Sequence, residues 1–489
     1  MGGSTHTVSI HIIDDDSLLN VFYFYRLSLF DEDYDTLGNI ARIFRGTGEW
    51  GHGRWWYKPA QVCQRWRNII LGSASYLGIS LVCMNGTPVA DMVAHSPPLP
   101  LVIDYFEKYC DIAAKDEEGA VLAFKKRDRV RCMCLRMAPT SLRKLIARIV
   151  DEYSILEYLL VHSQDHDSIL MFPETLQAPR LRHLALCGFN LSKGTRLLTS
   201  AVGLVSLAFI VTNPDTYFYP NSLLHWLSFM PQLETLIIYF SFPISNDDVE
   251  RQIAHTPIMA PLTLPNLDRF TFRGLDTFLE VFIHQIITPR LAKLDIDLVP
   301  GQVTFSVPRL QEFINTAKNF KFDGAKFKFS NGGVDMRTYH RREAEPKMPA
   351  LSISTVCWHL NLQVSSAARL FNLLSQMVSA VGNLALEHVV HLLWFKEHNE
   401  ADRTEWRKLL KSFRNVKILH IDNGLVGELS RCLDVDDGEP PCELLPELQE
   451  LAYSESGNTG DSFIAFINAR QNAGRPITLV RRSPSPDSN

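Results

Sequence analysis

The chain has 489 residues, 46% of them hydrophobic and 21% charged, with a formal net charge of −5. That length exceeds one simple core and points to a small domain joined to a larger one, or to an elongated repeat array. The acidic balance leaves no electrostatic footprint for nucleic acid or an anionic membrane, and nine cysteines without a CxxC pair describe reduced thiols, as expected in cytoplasm or nucleus.

Residues 1–9 read as a disordered lead. Asp14, Asp15 and Asp16 stand where a signal peptide would carry its apolar run, and no stretch approaches the roughly 20 apolar residues that span a bilayer. Their carboxylates suit the free amides of a first helical turn. A helix is therefore predicted from about residue 17, with Leu18, Leu19, Phe22 and Tyr25 at helical spacing. Residues 28–53 have no sustained period and read as an inserted loop. A second helix is predicted over residues 60–71, where Val62, Cys63, Trp66, Ile69 and Ile70 share an arc of roughly 120°. Gln64, Arg65, Arg67 and Asn68 lie opposite, and Gly72 stops the helix.

Residues 15–22 (DDSLLNVF) and 62–71 (VCQRWRNIIL) together resemble the first and third helices of the F-box. Ile12-Ile13 stands where that family has Leu-Pro, and about 26 residues are inserted before the third helix. The resemblance implies a helical domain over residues 10–85 that binds a Skp1-type adaptor and tethers the chain to a cullin ubiquitin ligase. Carried over by position, the adaptor-facing residues are Ile13, Leu18, Leu19, Phe22, Val62, Cys63, Trp66, Ile69 and Ile70.

Residues 86–129 read as a connecting segment, punctuated by Pro88, Pro97, Pro98 and Pro100 and holding one strand at 99–103. From Val130 an L-x-x-L-x-L strand motif returns, at Val130, Leu156, Leu181, Leu204, Leu233, Leu267 and Leu291. The starts are 26, 25, 23, 29, 34 and 24 residues apart, which suits leucine-rich repeats with one longer insertion. Further copies begin at Val416 and Leu448. Residues 310–386, with Phe320, Phe322, Phe327 and Phe329 alternating with other residues, read as degenerate repeats. Intervening segments such as 139–149, with a Thr or Ser cap, have helical form. The expected fold is thus α/β: a small F-box-like helical domain, then an irregular leucine-rich-repeat-like solenoid, or horseshoe, over 130–480 and a disordered tail over 481–489. This arrangement also resembles a large group of basidiomycete F-box proteins, down to the closing FIAFINAR and RPITL segments.

Candidate chemistry is sparse. His162 with Asp165, His166 and Asp167, and His388 with His391, fall short of four organised ligands, so no metal is expected. No phosphate loop, nucleophile elbow or zincin motif occurs, so no cofactor and no enzymatic activity are expected. The basic run from Lys125 to Arg131 faces Asp116, Glu117 and Glu118 in sequence and reads as a solvated surface. The third, fifth and seventh positions of each repeat strand are expected to face away from the core. Among them Tyr239, Arg269, Arg273, Lys293, Asp295 and Asp297 form an aromatic and charged patch suited to a protein target. The expected function is that of a non-catalytic substrate-recognition subunit, with an unidentified target; the alternative is a repeat scaffold whose F-box-like segment caps the solenoid.

Overall fold

The structure is a computed structural model that describes residues 13–29, 55–84, 86–106, 117–149, 151–163, 169–192, 194–241, 260–298, 308–316, 324–330, 333–339, 351–356, 389–394, 403–421, 425–433, 443–454 and 463–482. Two compact units divide the chain: Met1–Tyr217 with Phe229–Pro231, and Phe218–Ser228 with Gln232–Asn489. The sequence expectations for residues 1–9, 30–53 and 483–489 lie outside the described residues.

The first unit opens with α1 (Asp15–Leu29). Its start is set by Asp14, whose carboxylate accepts bonds from the Ser17 amide and hydroxyl, each at 2.8 Å. The helix therefore begins two residues before the predicted Ser17, because the first of the three acids is the cap. Those bonds hold the Asp14 carboxyl below its usual range.

The helix expected over 60–71 is two helices, α2 (Tyr57–Val62) and α3 (Gln64–Gly72). Cys63 breaks them with extended backbone at φ −156°, and its Sγ caps α3 by accepting the Trp66 amide at 3.5 Å. The break leaves carbonyls at the end of α2 without helical donors; Arg67 Nε supplies one to Ala60 O at 3.0 Å. Val62 thereby leaves the arc predicted for it and is 62% exposed. The first and third helical segments do meet: the Phe22 and Trp66 rings pack edge to face at 5.1 Å. Arg65 clamps the junction, pairing with Asp15 at 2.7 Å and donating to Ile13 O at 2.6 Å.

Parallel strands follow, with helices between most of them: β1 (Leu81–Met84), α4 (Val89–His95), β2 (Leu101–Phe106), α5 (Glu117–Phe124), β3 (Val130–Met137), α6 (Pro139–Ile146) and β4 (Tyr158–Ser163). Next come β5 (Leu170–Met171), β6 (His183–Cys187), β7 (Phe189–Asn190), α7 (Arg196–Ser200) and β8 (Ser206–Val211). The strand order is β1-β2-β3-β4-β6-β8, so the ladder begins at residue 81, inside the segments read as helical domain and connector. Motif positions align in register: Ile103, Met133, Leu159, Leu184 and Leu207 form one row, and every member is buried. Each such side chain contributes about 1.5–3 kcal/mol by leaving water. The short β5 and β7 pair separately. Helix α6 starts on Pro139 with no side-chain cap, in place of the Thr or Ser cap expected; proline at the first helical position needs no amide partner.

The second unit holds α8 (Pro220–Leu227), β9 (Thr235–Phe240), β10 (Leu262–Thr263), β11 (Arg269–Gly274), α9 (Asp276–His284), β12 (Ile286–Ile287), β13 (Lys293–Leu298) and α10 (Pro308–Thr316). Then come β14 (Gly324–Ser330), β15 (Gly333–Tyr339), β16 (Leu351–Val356), β17 (Val389–Trp394), α11 (Arg403–Ser412), β18 (Ile418–Ile421), α12 (Val426–Leu433), β19 (Glu450–Ser454), α13 (Ile464–Asn472) and β20 (Thr478–Arg482). Strand order is β9-β11-β13-β16-β15-β14-β17-β18-β19-β20, and β10 pairs with β12.

One stretch departs from the repeat reading. Strands β14 and β15 form an antiparallel pair, and β15 also runs antiparallel to β16. The alternation around Phe327 and Phe329 therefore belongs to a hairpin inserted in an otherwise parallel ladder, not to degenerate repeats.

Elsewhere the repeats share one backbone device. A single carbonyl just before a strand receives two successive amides of the next repeat: Glu157 O from Arg182 and His183, Arg182 O from Val205 and Ser206, Glu234 O from Asp268 and Arg269, Asp268 O from Ala292 and Lys293, and Lys417 O from Gln449 and Glu450. The motif recurs in both units. The core of the second unit is aromatic, with Phe240, Phe272 and Phe278 in mutual ring contact. Near the C-terminal end, buried Arg470 donates to the carbonyls of Leu444, Leu445, Pro446 and Leu448.

Candidate functional site

Two surfaces carry the residues singled out in the sequence, one in each unit. On the helices of the first, Leu18, Phe22 and Ile70 are buried within the unit, while Ile13, Leu19, Cys63, Trp66 and Ile69 are half-buried. Of the nine positions carried over from the F-box, Val62 alone is exposed. The sequence reading missed the outer part of α1, where Val21 and Phe24 are 52% and 65% exposed and Tyr25 is also open. At 100° per residue, Phe22, Leu18, Tyr25, Val21 and Phe24 fall within an arc of about 160° that Ser17 and Ser28 share. Phe22 and Leu18 fill the unit's own core; the rest of the arc faces outward. Tyr76, 52% exposed, extends it through ring contact with Tyr23. The signal was present as the aromatic run FYFY, which is wider than one buried stripe requires.

The strand face of the first unit behaves differently from expectation. Cys132, Cys134, Leu160, Ala185, Cys187 and Ala208, at positions expected to face outward, are all buried. These strands are thus largely buried on both sides, as parallel strands are when both faces are covered. Within this face sits Asp104, in register with Met84 and Cys134. Burial pushes its carboxyl up to about 6, against the opposing effect of a hydrogen bond with the Cys134 thiol. The Cys132 and Cys134 thiols are in turn pushed well up by burial and by Asp104, which makes them poor nucleophiles. His183 stacks on Tyr158 at 4.4 Å, and burial lowers its pKa to about 4.

The basic run after Lys125 is used internally. Arg127 pairs with Asp151, Arg131 pairs with Glu157, and Arg129 donates to the carbonyls of Leu99 and Pro97. Its counter-charges include Asp151 and Glu157, from later in the chain. Asp165, His166, Asp167 and His388 lie outside the described residues. Among the described residues no three His, Cys, Asp or Glu side chains gather to hold a metal ion, and no helix is long and apolar enough to cross a membrane.

In the second unit the register brings the charged and aromatic residues together in two cross-strand rows. Arg269 stands opposite Lys293, while Tyr239, Arg273 and Asp297 form the other row. Strands β11 and β13 alternate buried and accessible side chains, with Phe270, Phe272, Leu294 and Ile296 inside and this polar set outside. Arg273 lies over the Tyr239 ring at 4.6 Å, donates to its hydroxyl and pairs with Asp297 at 3.3 Å. Asp295 is exposed between the rows. The arrangement is a preorganised polar face with an aromatic and arginine anchor, the residue types that dominate protein interfaces.

No protein-family model matches the sequence, and no curated protein matches it. Among solved structures, the leucine-rich repeat-containing protein LegL7 from Legionella pneumophila is 12% identical, over 73% of this chain and 94% of its own, with a TM-score of 0.26. The mixed α/β architecture with its mostly parallel strands rests on the register given above.

Proposed function

We propose that this chain is a non-catalytic recognition subunit of a cullin-type ubiquitin ligase, set in cytoplasm or nucleus, that joins a Skp1-type adaptor to a protein target. The single observation that supports it most is the set of apolar side chains left exposed on α1, Val21, Phe24 and Tyr25, on a helix clamped to α3 through Arg65. An apolar helical face of this kind is what docks a helical partner. The target is held on the polar strand face carrying Tyr239, Arg269, Arg273, Lys293, Asp295 and Asp297. Its chemistry is positional: holding adaptor and target together raises the local concentration of target lysines and requires no acid, base or nucleophile from this chain.

A second reading is favoured by a different observation. Leu18, Phe22 and Ile70, carried over as adaptor-facing, are buried inside the unit, as they would be if the helices only capped a leucine-rich-repeat-like interaction scaffold. Size-exclusion co-elution of the full chain with a purified Skp1-type adaptor separates the two. Co-elution that is lost in Phe24→Asp supports the ligase reading, and absence of any complex supports the scaffold.

A further inference from the structure

The first and last strands of the ladder differ in how they are covered. Strand β1 begins the order of the first unit, and its Leu81, Val82 and Cys83 are all buried. Strand β20 ends the order of the second unit and, among the described strands, pairs with β19 alone. Its Leu479 stands in the row of Leu419 and Leu451. Those two are fully buried, whereas Leu479 is 37% exposed; Thr478 beside it is exposed too. The Thr478 amide donates to Gln449 O at 2.8 Å, toward β19. Backbone groups of successive residues point to opposite sides of a strand, so the N–H and C=O of Leu479 face the outer edge. A strand edge of this kind, with a core leucine uncovered, is a template for another strand, and repeat arrays ordinarily close such an end with a polar cap. Pro476, which has no amide to offer, marks where the edge begins.

We propose that the occupant of this edge is β20 of a second copy of the chain, paired antiparallel about a two-fold axis at Leu479. Head-to-tail association through β1 does not fit, because the residues of β1 are buried; the self-association left to β20 is isologous. The strand is complementary to itself in one register. With Leu479 opposite its own counterpart, the two residues exchange both backbone bonds and cover each other's side chains. Thr478 then stands opposite Val480, a pair of β-branched residues, and Ile477 opposite the aliphatic stem of Arg481, contacts that stabilise paired strands. The same register sets the two copies of Arg481 four residues apart along the strands, about 14 Å, beyond the screening length of about 8 Å. Moving the axis to Val480 or Arg481 brings those like charges together, so charge selects the register centred on Leu479. A strand from another protein would use the same backbone bonds, but the match of Leu479, Thr478 and Ile477 with Leu479, Val480 and Arg481 is one that a second copy supplies by itself.

Sedimentation velocity of the full chain over a concentration series reads the self-association directly. The expected result is a reversible monomer–dimer equilibrium that Leu479→Asp weakens roughly tenfold and that Phe24→Asp, on the apolar surface of α1, leaves unchanged. Cysteine pairing tests the register even where Leu479→Asp fails to fold. In Leu479→Cys the two Cα atoms lie about 5.5 Å apart across the axis, within reach of a disulfide, so mild oxidation yields a covalent dimer. Arg481→Cys stands about 14 Å from its counterpart and yields no more covalent dimer than wild type. A chain that stays monomeric up to about 100 μM overturns the proposal and leaves the edge to a strand of another protein. A dimer that folded Leu479→Asp retains at full strength, or that Phe24→Asp abolishes, overturns it as well, as does equal cross-linking of Leu479→Cys and Arg481→Cys.

Discussion

Asp104 ties the stability of the first unit to pH, with a sign opposite to that of most carboxylates. It is 6% exposed, it lies among Met84, Cys134 and the apolar strand face, and burial raises its pKa to about 6 from 3.8. The folded state therefore holds the proton more tightly than the unfolded chain does. Its favourable contribution is complete below pH 3.8, falls as pH rises and is lost above about 6. A difference of about two units corresponds to about 3 kcal/mol. Asp104→Asn keeps the shape and removes the charge, so it stabilises the unit by up to that amount at pH 7.5 and has little effect at pH 4. The assay equilibrates the chain in urea at each pH, pulses with a maleimide at fixed pH, and reads labelling of Cys132 and Cys134 by mass spectrometry. Both thiols are buried in the fold, so labelling reports opening of this unit without interference from the other. A wild-type midpoint that matches Asp104→Asn at every pH, or a variant less stable than wild type at pH 7.5, refutes the reasoning.

Three further outcomes follow from local geometry. Arg470→Met leaves four carbonyls, those of Leu444, Leu445, Pro446 and Leu448, without their donor and releases Leu445 from its positive φ; the expected cost is about 3 kcal/mol, read as earlier proteolysis of residues 443–454 in a urea series. Gly274→Ala places a Cβ 2.6 Å from Phe240 Cδ2, which forces the aromatic core apart and lowers stability by about 1–3 kcal/mol, visible as a reduced thermal midpoint that Phe240→Leu partly restores. Cys63→Ser puts a stronger acceptor at the start of α3 and raises stability by about 0.5–1 kcal/mol, measured as slower hydrogen exchange at Trp66 and Arg67; unchanged exchange argues against Cys63 as the cap.

The repeat strands were legible because one side of each is an apolar row that nothing else satisfies: Leu156, Leu181, Leu204, Leu233, Leu267 and Leu291 are all buried as their spacing demands. The other side was not legible in the first unit. Cys132, Ala185 and Ala208 are small enough to be hidden or open with equal ease, and sequence alone gives no measure of what covers them. The break at Cys63 was invisible to periodicity, since a cap is a single residue and cysteine is rarely one. The hairpin of β14 and β15 was mistaken for repeats because its alternation of Phe with Lys has the period of any strand, and strand direction leaves no trace in it. In the second unit the motif phase alone puts Tyr239, Arg269, Arg273, Lys293, Asp295 and Asp297 on the side away from the buried row, and none of them is buried. Their pairing across strands, Arg273 with Tyr239 and Asp297 and Arg269 against Lys293, needed the register.

The most direct test concerns the outward arc of α1. Isothermal titration of the full chain with a purified Skp1-type adaptor is compared among wild type, Phe24→Asp, Val62→Asp and the distant Asp295→Asn. Both apolar positions are exposed, so their replacement leaves the fold intact, which circular dichroism verifies; Ile70→Asp is unsuitable because Ile70 is fully buried. The expected result is saturable binding that Phe24→Asp abolishes, Val62→Asp weakens and Asp295→Asn leaves unchanged. Adaptor binding of equal strength in wild type and Phe24→Asp, or no binding by the folded wild-type chain, contradicts the proposed role of these helices.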